Sequence, residues 1–318
     1  MTAAEAIFAG YVQTLGRGPG RSRALTRAEA EDAMRLLLEG SVDPRQVGAF
    51  LMLLRYRGED PGEIAGLVTA ARARARLTGL DVALDWPSYG AGKSRGAPWF
   101  LLAALTMGQA GHRVLMHGSN DHATGMSVAG GLRALGLHQA GSAAEARDGL
   151  DTRGFAYVPV ATLCPAFAEL LGLRRLFGLR SPINTAARLL NPADAPAGVD
   201  GVFHPPYIET HLACAELLGR QSLLVLKGGG GEAERNPAKP VTAHLWLRGE
   251  GRATLELPAL CAPDPGPEPD FAAIWRGAAR HQAIEARITG TIALGLQAMG
   301  RGGDATAQTL WERRSPDC

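Results

Sequence analysis

Short apolar segments that alternate with helical stretches constrain the fold of this chain more than any other feature. The runs 113–116, 156–159 and 222–226 have the length and apolar character of buried strands, and the apolar stretch 100–109 has the length of a helix. Strands that alternate with helices usually form a largely parallel sheet covered by those helices. The pattern therefore predicts an α/β domain over residues 78–318 with a mostly parallel central sheet.

The first 77 residues have the periodicity of helices instead of strands. Thr26 is followed three residues later by Glu29, which is the pattern of a helix-capping box. Pro44 and Pro61 suit the first turns of two further helices, because proline gives up no helical hydrogen bond there. Three short helices joined by short loops predict a small helical bundle domain over residues 1–77.

The composition excludes several classes of protein. Apolar residues make up 46% of the 318 residues and charged residues 20%, which is typical of a globular chain and not of a disordered one. No run of about 18 apolar residues is present, so we expect no membrane partner. The four cysteines form no CxxC pair, which argues against a zinc site or a disulfide framework and favours a reducing, cytoplasmic setting.

The loop after a predicted strand near Val82 carries residues that suit an anion. In open α/β sheets, ligands bind beyond the carboxyl ends of the strands. Backbone N–H groups, two cations and a hydroxyl at this place can hold a phosphate. The residues concerned are Gly90, Gly92, Lys93, Ser94 and Arg95. A solvated turn is the alternative, because the spacing matches neither a Walker A loop nor a dinucleotide-binding fingerprint.

The loop after the predicted strand 113–116 is also expected to face a ligand. It contains His117, Gly118 and Asn120, which offer a ligand an imidazole, a backbone that it can approach closely, and an amide. The alternative is a helix start capped by Ser119 or Asp121. Metal binding is less favoured than ligand binding here, because no third metal ligand is evident in the sequence.

Two charged clusters lie farther along the chain. Glu232 and Glu234 follow a lysine and four glycines, and their oxygens can hold Mg²⁺, although a flexible loop with solvated charges explains them as well. Arg174, Arg175 and Arg180 lie on or next to a predicted helix. They can bind phosphate, or they can form an ordinary solvated helix face.

Two blocks of the sequence resemble the anthranilate phosphoribosyltransferase family, a member of glycosyltransferase family 3. The first block is similar to a family signature with a proline-alanine start, an arginine pair, a Gly-hydrophobe-Arg triplet and a closing Asn-Pro. Its residues are Pro165, Ala166, Leu173, Arg174, Arg175, Gly178, Leu179, Arg180, Asn184 and 189–192. The second block lies in the helical bundle and comprises Leu25, Thr26, Glu29, Ala30, 48–52, Leu54, Arg55, 57–59 and 63–66.

The resemblance implies a particular architecture and chemistry. Residues 1–77, joined in space by about 166–190, would form the helical domain beside the α/β domain, and two copies would form a homodimer through the helical parts. Two apolar helix faces are expected to make this contact or, alternatively, only to close the bundle within one chain; they carry Val47, Phe50, Leu51 and Leu54, and Ile64, Leu67 and Val68. Arg174 falls at the position of the family's anthranilate-contacting arginine. The family's enzymes use phosphoribosyl diphosphate with Mg²⁺, so we expect these ligands only if this chain is an active transferase.

Several family motifs are altered in this chain. Tyr89 and Gly92 stand where the diphosphate loop Gly-Thr-Gly-Gly-Asp has Thr and Asp. Met116 and Asn120 replace the two cations of Lys-His-Gly-Asn-Arg, and Ala233 replaces the Asp of the magnesium pair. Because the leaving diphosphate must be neutralised in phosphoribosyl transfer, we expect negligible anthranilate phosphoribosyltransferase activity.

The altered motifs look most like those of the nucleic-acid-binding YbiB-type paralogues of the family. This likeness implies a homodimer that binds DNA or RNA without sequence specificity, through arginine contacts to phosphate. The residues expected to make these contacts are Arg17, Arg21, Arg23, Lys93, Arg95, Arg174, Arg175 and Arg180. The alternatives are an active phosphoribosyltransferase or other glycosyltransferase with a different acceptor, and a scaffold that only dimerises.

Overall fold

The computed structural model describes residues 1–18, 20–75, 77–90, 96–119, 125–264 and 266–316. Five residues of the predicted ligand and nucleic-acid sites lie outside these ranges, namely Gly92, Lys93, Ser94, Arg95 and Asn120.

Four helices form the N-terminal part of the described chain, where the sequence predicted three. They are α1 (Ala3–Gly16), α2 (Arg27–Leu38), α3 (Pro44–Arg57) and α4 (Pro61–Ala75). Capping boxes begin α1 at Thr2 and α2 at Thr26, and each satisfies two backbone N–H groups that a helix start leaves open. Asp43 caps α3 directly before Pro44. Helix α1 was missed because its apolar residues are interrupted by small ones.

The remaining part of the chain forms a seven-stranded sheet with the order β3-β2-β1-β4-β5-β6-β7. The strands are β1 (Leu84–Ser88), β2 (Val114–Gly118), β3 (Phe155–Pro159), β4 (Ala197–Val202), β5 (Ser222–Lys227), β6 (Val241–Leu247) and β7 (Gly251–Leu257). The pairs among the first five strands are parallel, whereas β5–β6 and β6–β7 are antiparallel. The predicted fold class, a helical domain beside a larger α/β domain with a mostly parallel sheet, is confirmed.

The other described helices cover the two faces of this sheet or pack with the N-terminal helices. They are α5 (Trp99–Gln109), α6 (Val128–Ala134), α7 (Ala143–Arg153), α8 (Val160–Leu163), α9 (Pro165–Gly172), α10 (Arg174–Phe177), α11 (Pro182–Arg188), α12 (Pro206–Leu217), α13 (Phe271–Trp275), α14 (Gln282–Ala298) and α15 (Asp304–Arg313). After β2 the next described helix is α6, which Ser127 caps. The alternative of a helix start capped by Ser119 or Asp121 concerns residues 120–124, which lie outside the described ranges. Within the described ranges, no helix combines the length and the apolar character needed to cross a bilayer.

The side chains of each strand alternate between two cores. Leu84, Trp86 and Met116 point into the core formed with α5 and α14, whereas Leu115 and Val158 point into the core shared with the helical part. Each fully buried side chain of this size contributes about 1.5–3 kcal/mol. Helix α4 packs against α12, and α11 packs against α3 and α4. These contacts bring the helical part close to the carboxyl ends of β1 and β4.

Candidate anion site between the helical part and the sheet

A cavity of about 270 Å³ lies where the helical part meets the carboxyl ends of β1 and β4. Arg55 and Glu59 line it from the end of α3 and the turn that follows. Tyr89 lines it from the loop after β1. Phe203 and His204, which follow β4, line the opposite side of the cavity. The cavity therefore occupies the edge of the sheet at which the sequence predicted ligand binding.

The segment 174–188 supplies three more arginines to the cavity: Arg174, Arg180 and Arg188. Helix α10 ends at Gly178, which has a left-handed backbone with φ of 64° that glycine adopts without strain. The chain reverses there, so that Arg180 reaches the same space as Arg174. The sequence predicted Arg174 and Arg180 as phosphate-binding residues, but it did not single out Arg188.

The arginines of the cavity lie close enough to repel one another. The pKa of Arg180 is lowered, first by burial and then by the charges of Arg174 and Arg188, with a smaller contribution from Arg55. Burial also acts to lower the pKa of Arg188, but Glu232 and other carboxylate charges outweigh it and raise that pKa. Arg180 therefore lies in the repulsive field of the neighbouring arginines, whereas carboxylates compensate the charge of Arg188.

Buried carboxylates hold Arg188 in place at the floor of the cavity. Its guanidinium lies 3.2 Å from Oδ1 of Asp200 and 3.5 Å from Oε1 of Glu232. The backbone N–H of Gly90 donates to the same Oε1 at 2.5 Å. Both carboxylates are at most 1% exposed, and without Arg188 they would be uncompensated charges in the interior.

His211 of α12 lines the cavity beside this network. Its Nδ1 lies 2.6 Å from Oδ2 of Asp200, within ion-pair distance although the two atoms are not aligned as a hydrogen bond. Asp200 lies on β4 in an otherwise apolar and glycine-rich strand. A carboxylate beside Nδ1 favours the tautomer that carries its proton there, which leaves Nε2 to meet a ligand.

A second chain of polar contacts runs from the cavity into the sheet. The hydroxyl of Tyr89 lies 2.9 Å from Nδ1 of His117, whose Nε2 lies 3.2 Å from Oδ1 of Asp85. Arg220 approaches the other carboxylate oxygen of Asp85 to 3.3 Å. Burial raises the pKa of Tyr89 well above its usual value, so its hydroxyl stays protonated. Burial acts to raise the pKa of Asp85, but His117 and Arg220 outweigh it and lower that pKa.

Glu59 connects the helical part to the other wall of the cavity. It accepts hydrogen bonds from Oγ1 of Thr185 at 2.5 Å and from the hydroxyl of Tyr207 at 3.3 Å. Burial raises the pKa of Glu59, although both hydrogen bonds and the charge of His211 act to lower it. A carboxyl group with a raised pKa repels an anion less than a fully ionised one.

The described members of the predicted ligand loops have structural roles. Gly90 holds Glu232, and His117 points into the sheet, where it contacts Tyr89 and Asp85. At Gly118 a Cβ atom would lie 1.7 Å from the carbonyl oxygen of Ser88, so only glycine fits this strand end. Of these residues, Gly90 is the one that also borders a small cavity next to Glu232.

The two acidic residues predicted to bind Mg²⁺ have different surroundings. Oε2 of Glu234 accepts a hydrogen bond from the backbone N–H of Phe100 at 3.1 Å, which stabilises the start of α5. Oε2 of Glu232 is buried and has no hydrogen-bond partner among the described residues. Across those same residues, no three His, Cys, Asp or Glu side chains come together as a metal-binding group.

The arginines predicted to contact nucleic acid do not all line the cavity. Arg174 and Arg180 do, whereas Arg175 and the N-terminal arginines do not. Arg17 donates a hydrogen bond to Gln13, and Arg23 is paired with Glu29 at 2.6 Å. The described residues therefore place two of the predicted phosphate contacts in one site.

Sequence reasoning missed several residues that build the site: Arg55, Glu59, Arg188, Asp200, Arg220 and His211. A charged residue within an apolar strand was the available signal for Asp200, since such a residue is buried only with a partner. No comparable signal marks His211, because a lone histidine on a helix is most often a surface or core residue.

Comparison with known proteins identifies relatives in sequence and in structure. Residues 10–75 match the model of the glycosyl transferase family, helical bundle domain. The chain is 32% identical to the anthranilate phosphoribosyltransferase of Nitratidesulfovibrio vulgaris over 231 residues, which is 71% of this chain and 68% of that protein. It is 32% identical to anthranilate phosphoribosyltransferase 2 of Streptomyces coelicolor over 235 residues, or 73% and 69% of the two chains.

Solved structures share the fold over nearly the whole length. The anthranilate phosphoribosyltransferase of Thermus thermophilus aligns with a TM-score of 0.73 and 22% identity, covering 96% of this chain and 97% of that one. The enzyme of Saccharomyces cerevisiae in complex with PRPP and Mg aligns with a TM-score of 0.75 and 19% identity, covering 97% and 92%. The resemblance found in the sequence is confirmed, while the closer relation to the nucleic-acid-binding branch stays a prediction.

Proposed function

Because the chain belongs to the anthranilate phosphoribosyltransferase family, we propose that it binds a phosphate-bearing ligand in the cavity between its helical part and its sheet, and that it does not carry out ordinary anthranilate phosphoribosyl transfer. The observation that carries this proposal is the convergence of Arg55, Arg174, Arg180 and Arg188 on one cavity. Guanidinium groups match phosphate oxygens in geometry and in charge. The residues Met116 and Ala233, which replace a cation and a metal carboxylate of the family, support the second part.

Nucleic acid, DNA or RNA without sequence preference, is the first ligand class that we propose. The guanidinium of Arg180 lies 5.9 Å from the centre of the Phe203 ring, which is 44% exposed at the cavity. Cations beside an exposed aromatic ring suit single-stranded nucleic acid, since the cations take the phosphates and the ring takes a base.

Phosphoribosyl diphosphate with a transferase acceptor other than anthranilate is the second ligand class. The buried Oε2 of Glu232, which lacks a partner among the described residues, favours it, because Mg²⁺ binds carboxylate oxygens and retains several waters. Ser119 and Ser127 border the same small cavity as Glu232. When bound, Mg²⁺ would neutralise the leaving diphosphate. Glu232 would hold the ion, and Arg188 would keep that carboxylate in place.

Paired titrations distinguish the two ligand classes. The protein is titrated with phosphoribosyl diphosphate plus Mg²⁺ and, separately, with a mixed-sequence single-stranded oligonucleotide at two salt concentrations. We expect oligonucleotide binding that weakens with salt, and a salt slope about one unit smaller in Arg180→Ala. Arg133→Ala is the matched control, because Arg133 is exposed, lies outside the cavity and is not among the predicted phosphate contacts. Binding of phosphoribosyl diphosphate alone would favour the transferase, and binding of neither ligand would reject both.

We also propose a second copy of the chain as a partner and a cytoplasmic location. Ile7 on α1 is 51% exposed and Tyr56 on α3 is 91% exposed, which supports a contact between helical parts. The scarcity of cysteine supports a reducing compartment.

A further inference from the structure

Helix α5 has no capping side chain of its own. Pro98 stands at its cap position and makes no side-chain hydrogen bond. Two carboxylates from distant parts of the chain accept from the N–H groups there. Oε2 of Glu234 accepts from the N–H of Phe100 at 3.1 Å, and Oε2 of Glu268 accepts from the N–H just before the helix, that of Ala97, at 3.0 Å. Because the start of a helix attracts anions, both carboxylates lie where negative charge is favoured.

Glu268 is held at this helix start by a stiff and anchored segment. It stands between Pro267 and Pro269, whose rings restrict the backbone and so reduce the entropy that is lost when the contact forms. Farther along the segment, the buried ring of Phe271 packs against Trp99 of α5, with 5.3 Å between the ring centres. The segment therefore presents the carboxylate of Glu268 to α5 in a preorganised position.

The two carboxylates share one positive charge and differ in how firmly they are held. The Nη1 atom of Arg287 lies 3.7 Å from Oε1 of Glu234 and 3.7 Å from Oε1 of Glu268. The side chain of Glu234 is 5% exposed, whereas that of Glu268 is 38% exposed. Water can solvate Glu268 when it leaves the helix start, but it cannot reach Glu234 in the same way. Glu268 is therefore the carboxylate that an incoming anion can replace.

A buried oxygen next to the same helix start is available to a further group. Oε2 of Glu232 is shielded from solvent and has no hydrogen-bond partner among the described residues. Glu232 lines the small cavity together with Gly96, Pro98 and Phe100, and its other oxygen lies 3.5 Å from Arg188 of the larger cavity. The two cavities are therefore neighbours. The small one measures about 20 Å³, which is room for about one water molecule, so a phosphate group fits there only if a neighbouring group moves away.

We propose that Glu268 takes the place of a ligand anion at the start of α5 and so keeps a diphosphate group out of this part of the site. A ligand with a single phosphate, held by the arginines of the larger cavity, leaves the contact of Glu268 intact. A ligand with a diphosphate reaches α5 only after Glu268 has moved into solvent, and its oxygens then accept from the same backbone N–H groups. No covalent bond forms or breaks in this exchange.

This inference rests on the proposed binding of a phosphate-bearing ligand and names the residue that decides which phosphate ligands are admitted. A purely structural cap makes a different prediction, since its removal would lower stability and leave ligand binding unchanged. Glu268→Gln separates the two roles. The amide keeps an oxygen that accepts from Ala97, but it removes the charge that competes with a ligand anion.

The experiment is titration calorimetry on the whole chain with inorganic diphosphate at a fixed concentration of Mg²⁺. We expect Glu268→Gln to bind diphosphate at least about tenfold more tightly than the unchanged protein, because hydrogen bonds to charged groups are worth this much. Ribose 5-phosphate, with one phosphate, should bind equally to both. Glu250→Gln is the matched control, since it removes the same charge from the exposed turn between β6 and β7, at the opposite edge of the sheet.

Amide hydrogen exchange on the unchanged protein tests the displacement without any variant. Peptides that contain Glu268 should exchange faster once diphosphate is bound. Equal diphosphate affinities with and without Glu268→Gln, or exchange that stays the same while diphosphate binds, would overturn the inference. The proposed function still stands in that case if ribose 5-phosphate or the oligonucleotide binds. If no phosphate ligand binds to either protein, the proposed function and the inference both fail.

Discussion

The hydroxyl of Tyr89 lies 2.9 Å from Nδ1 of His117, and this contact joins the wall of the cavity to the interior of the sheet. His117 in turn faces Asp85, and Asp85 faces Arg220 near the opposite edge of the sheet. Four polar side chains thus cross a core that is otherwise apolar. Each one depends on its neighbours, because an unpaired polar group in the interior is costly.

Replacing Tyr89 with phenylalanine is expected to destabilise the protein. The substitution Tyr89→Phe keeps the ring but leaves Nδ1 of His117 without its partner. Loss of one partner of a buried hydrogen bond costs about 1–3 kcal/mol. Urea unfolding measures this difference in the free energy of unfolding. Tyr56→Phe is the control, since Tyr56 is 91% exposed, and equal stability of the two variants would contradict the prediction.

The substitution Asp85→Asn is expected to have a larger effect on stability. Asp85 is buried between His117 and Arg220, so its neutralisation leaves the guanidinium of Arg220 uncompensated in the core. Breaking one partner of a buried ion pair costs about 3–5 kcal/mol. Thermal and urea unfolding provide the measurement. Asp81→Asn, at a side chain that is 90% exposed beside Arg113, should change stability little.

The raised pKa of Glu59 predicts a particular dependence of stability on pH. Burial is its main cause, and the unfolded chain has the ordinary value of 4.5. The folded state therefore binds this proton more tightly, and the stability it contributes is full below pH 4.5 and is lost as the pH rises through the folded pKa. Glu59→Gln should flatten this part of the profile in urea unfolding at several pH values. An unchanged slope would show that Glu59 is not its source.

Anthranilate phosphoribosyl transfer by this chain is expected to be negligible. The resemblance places Met116 and Asn120 at the two cation positions of one family motif and Ala233 at a metal carboxylate position. The absence of the family's two cations and of its metal carboxylate at these positions removes charge that would stabilise the leaving diphosphate. Complementation of a tryptophan auxotroph that lacks this step provides the test. Growth at the wild-type rate would refute the expectation.

We expect a dimer in solution, with the helical parts in contact. The apolar faces of α3 and α4 that were expected to make this contact are instead buried within the chain, since Phe50, Leu51, Leu54, Ile64, Leu67 and Val68 are at most 1% exposed. The exposed side chains Ile7 and Tyr56 lie on α1 and α3, and a two-fold axis would bring each helix against its counterpart. Sedimentation at micromolar concentration measures the mass. A species that remains at the 33.4 kDa of one chain would exclude this assembly, and Tyr56→Asp should weaken it if it forms.

Most of the fold could be predicted from the sequence, because periodicity and caps act locally. The capping box at Thr26 begins α2, and the apolar run 222–226 forms most of β5. Strand β4 was not predicted, because Asp200 and two glycines interrupt its run of apolar residues. Strands β6 and β7 were missed because polar residues alternate along them and the stretch reads as loop without knowledge of its pairing partner.

The candidate site was predictable only in part, since its residues are distant in sequence. Arg174 and Arg180 were found through the family signature and do line the cavity. His117 was expected to face a ligand, but its position within β2 directs it into the sheet, where Tyr89 separates it from the cavity. The contact of His211 with Asp200 arises from the packing of α12 beside β4, which no local pattern reveals.

The packing of α4 against α12 has a consequence for how this protein can diversify. The arginines of the cavity belong to the helical side, whereas Phe203 and His211 belong to the sheet side. Arg27 of α2 fastens the two sides by donating to the carbonyl oxygen of Leu217, at the end of α12, at 2.7 Å. The width of the cavity is therefore set by residues that never touch a ligand. Substitutions in these remote contacts can therefore change which ligand the cavity prefers, while every side chain that faces the ligand stays the same.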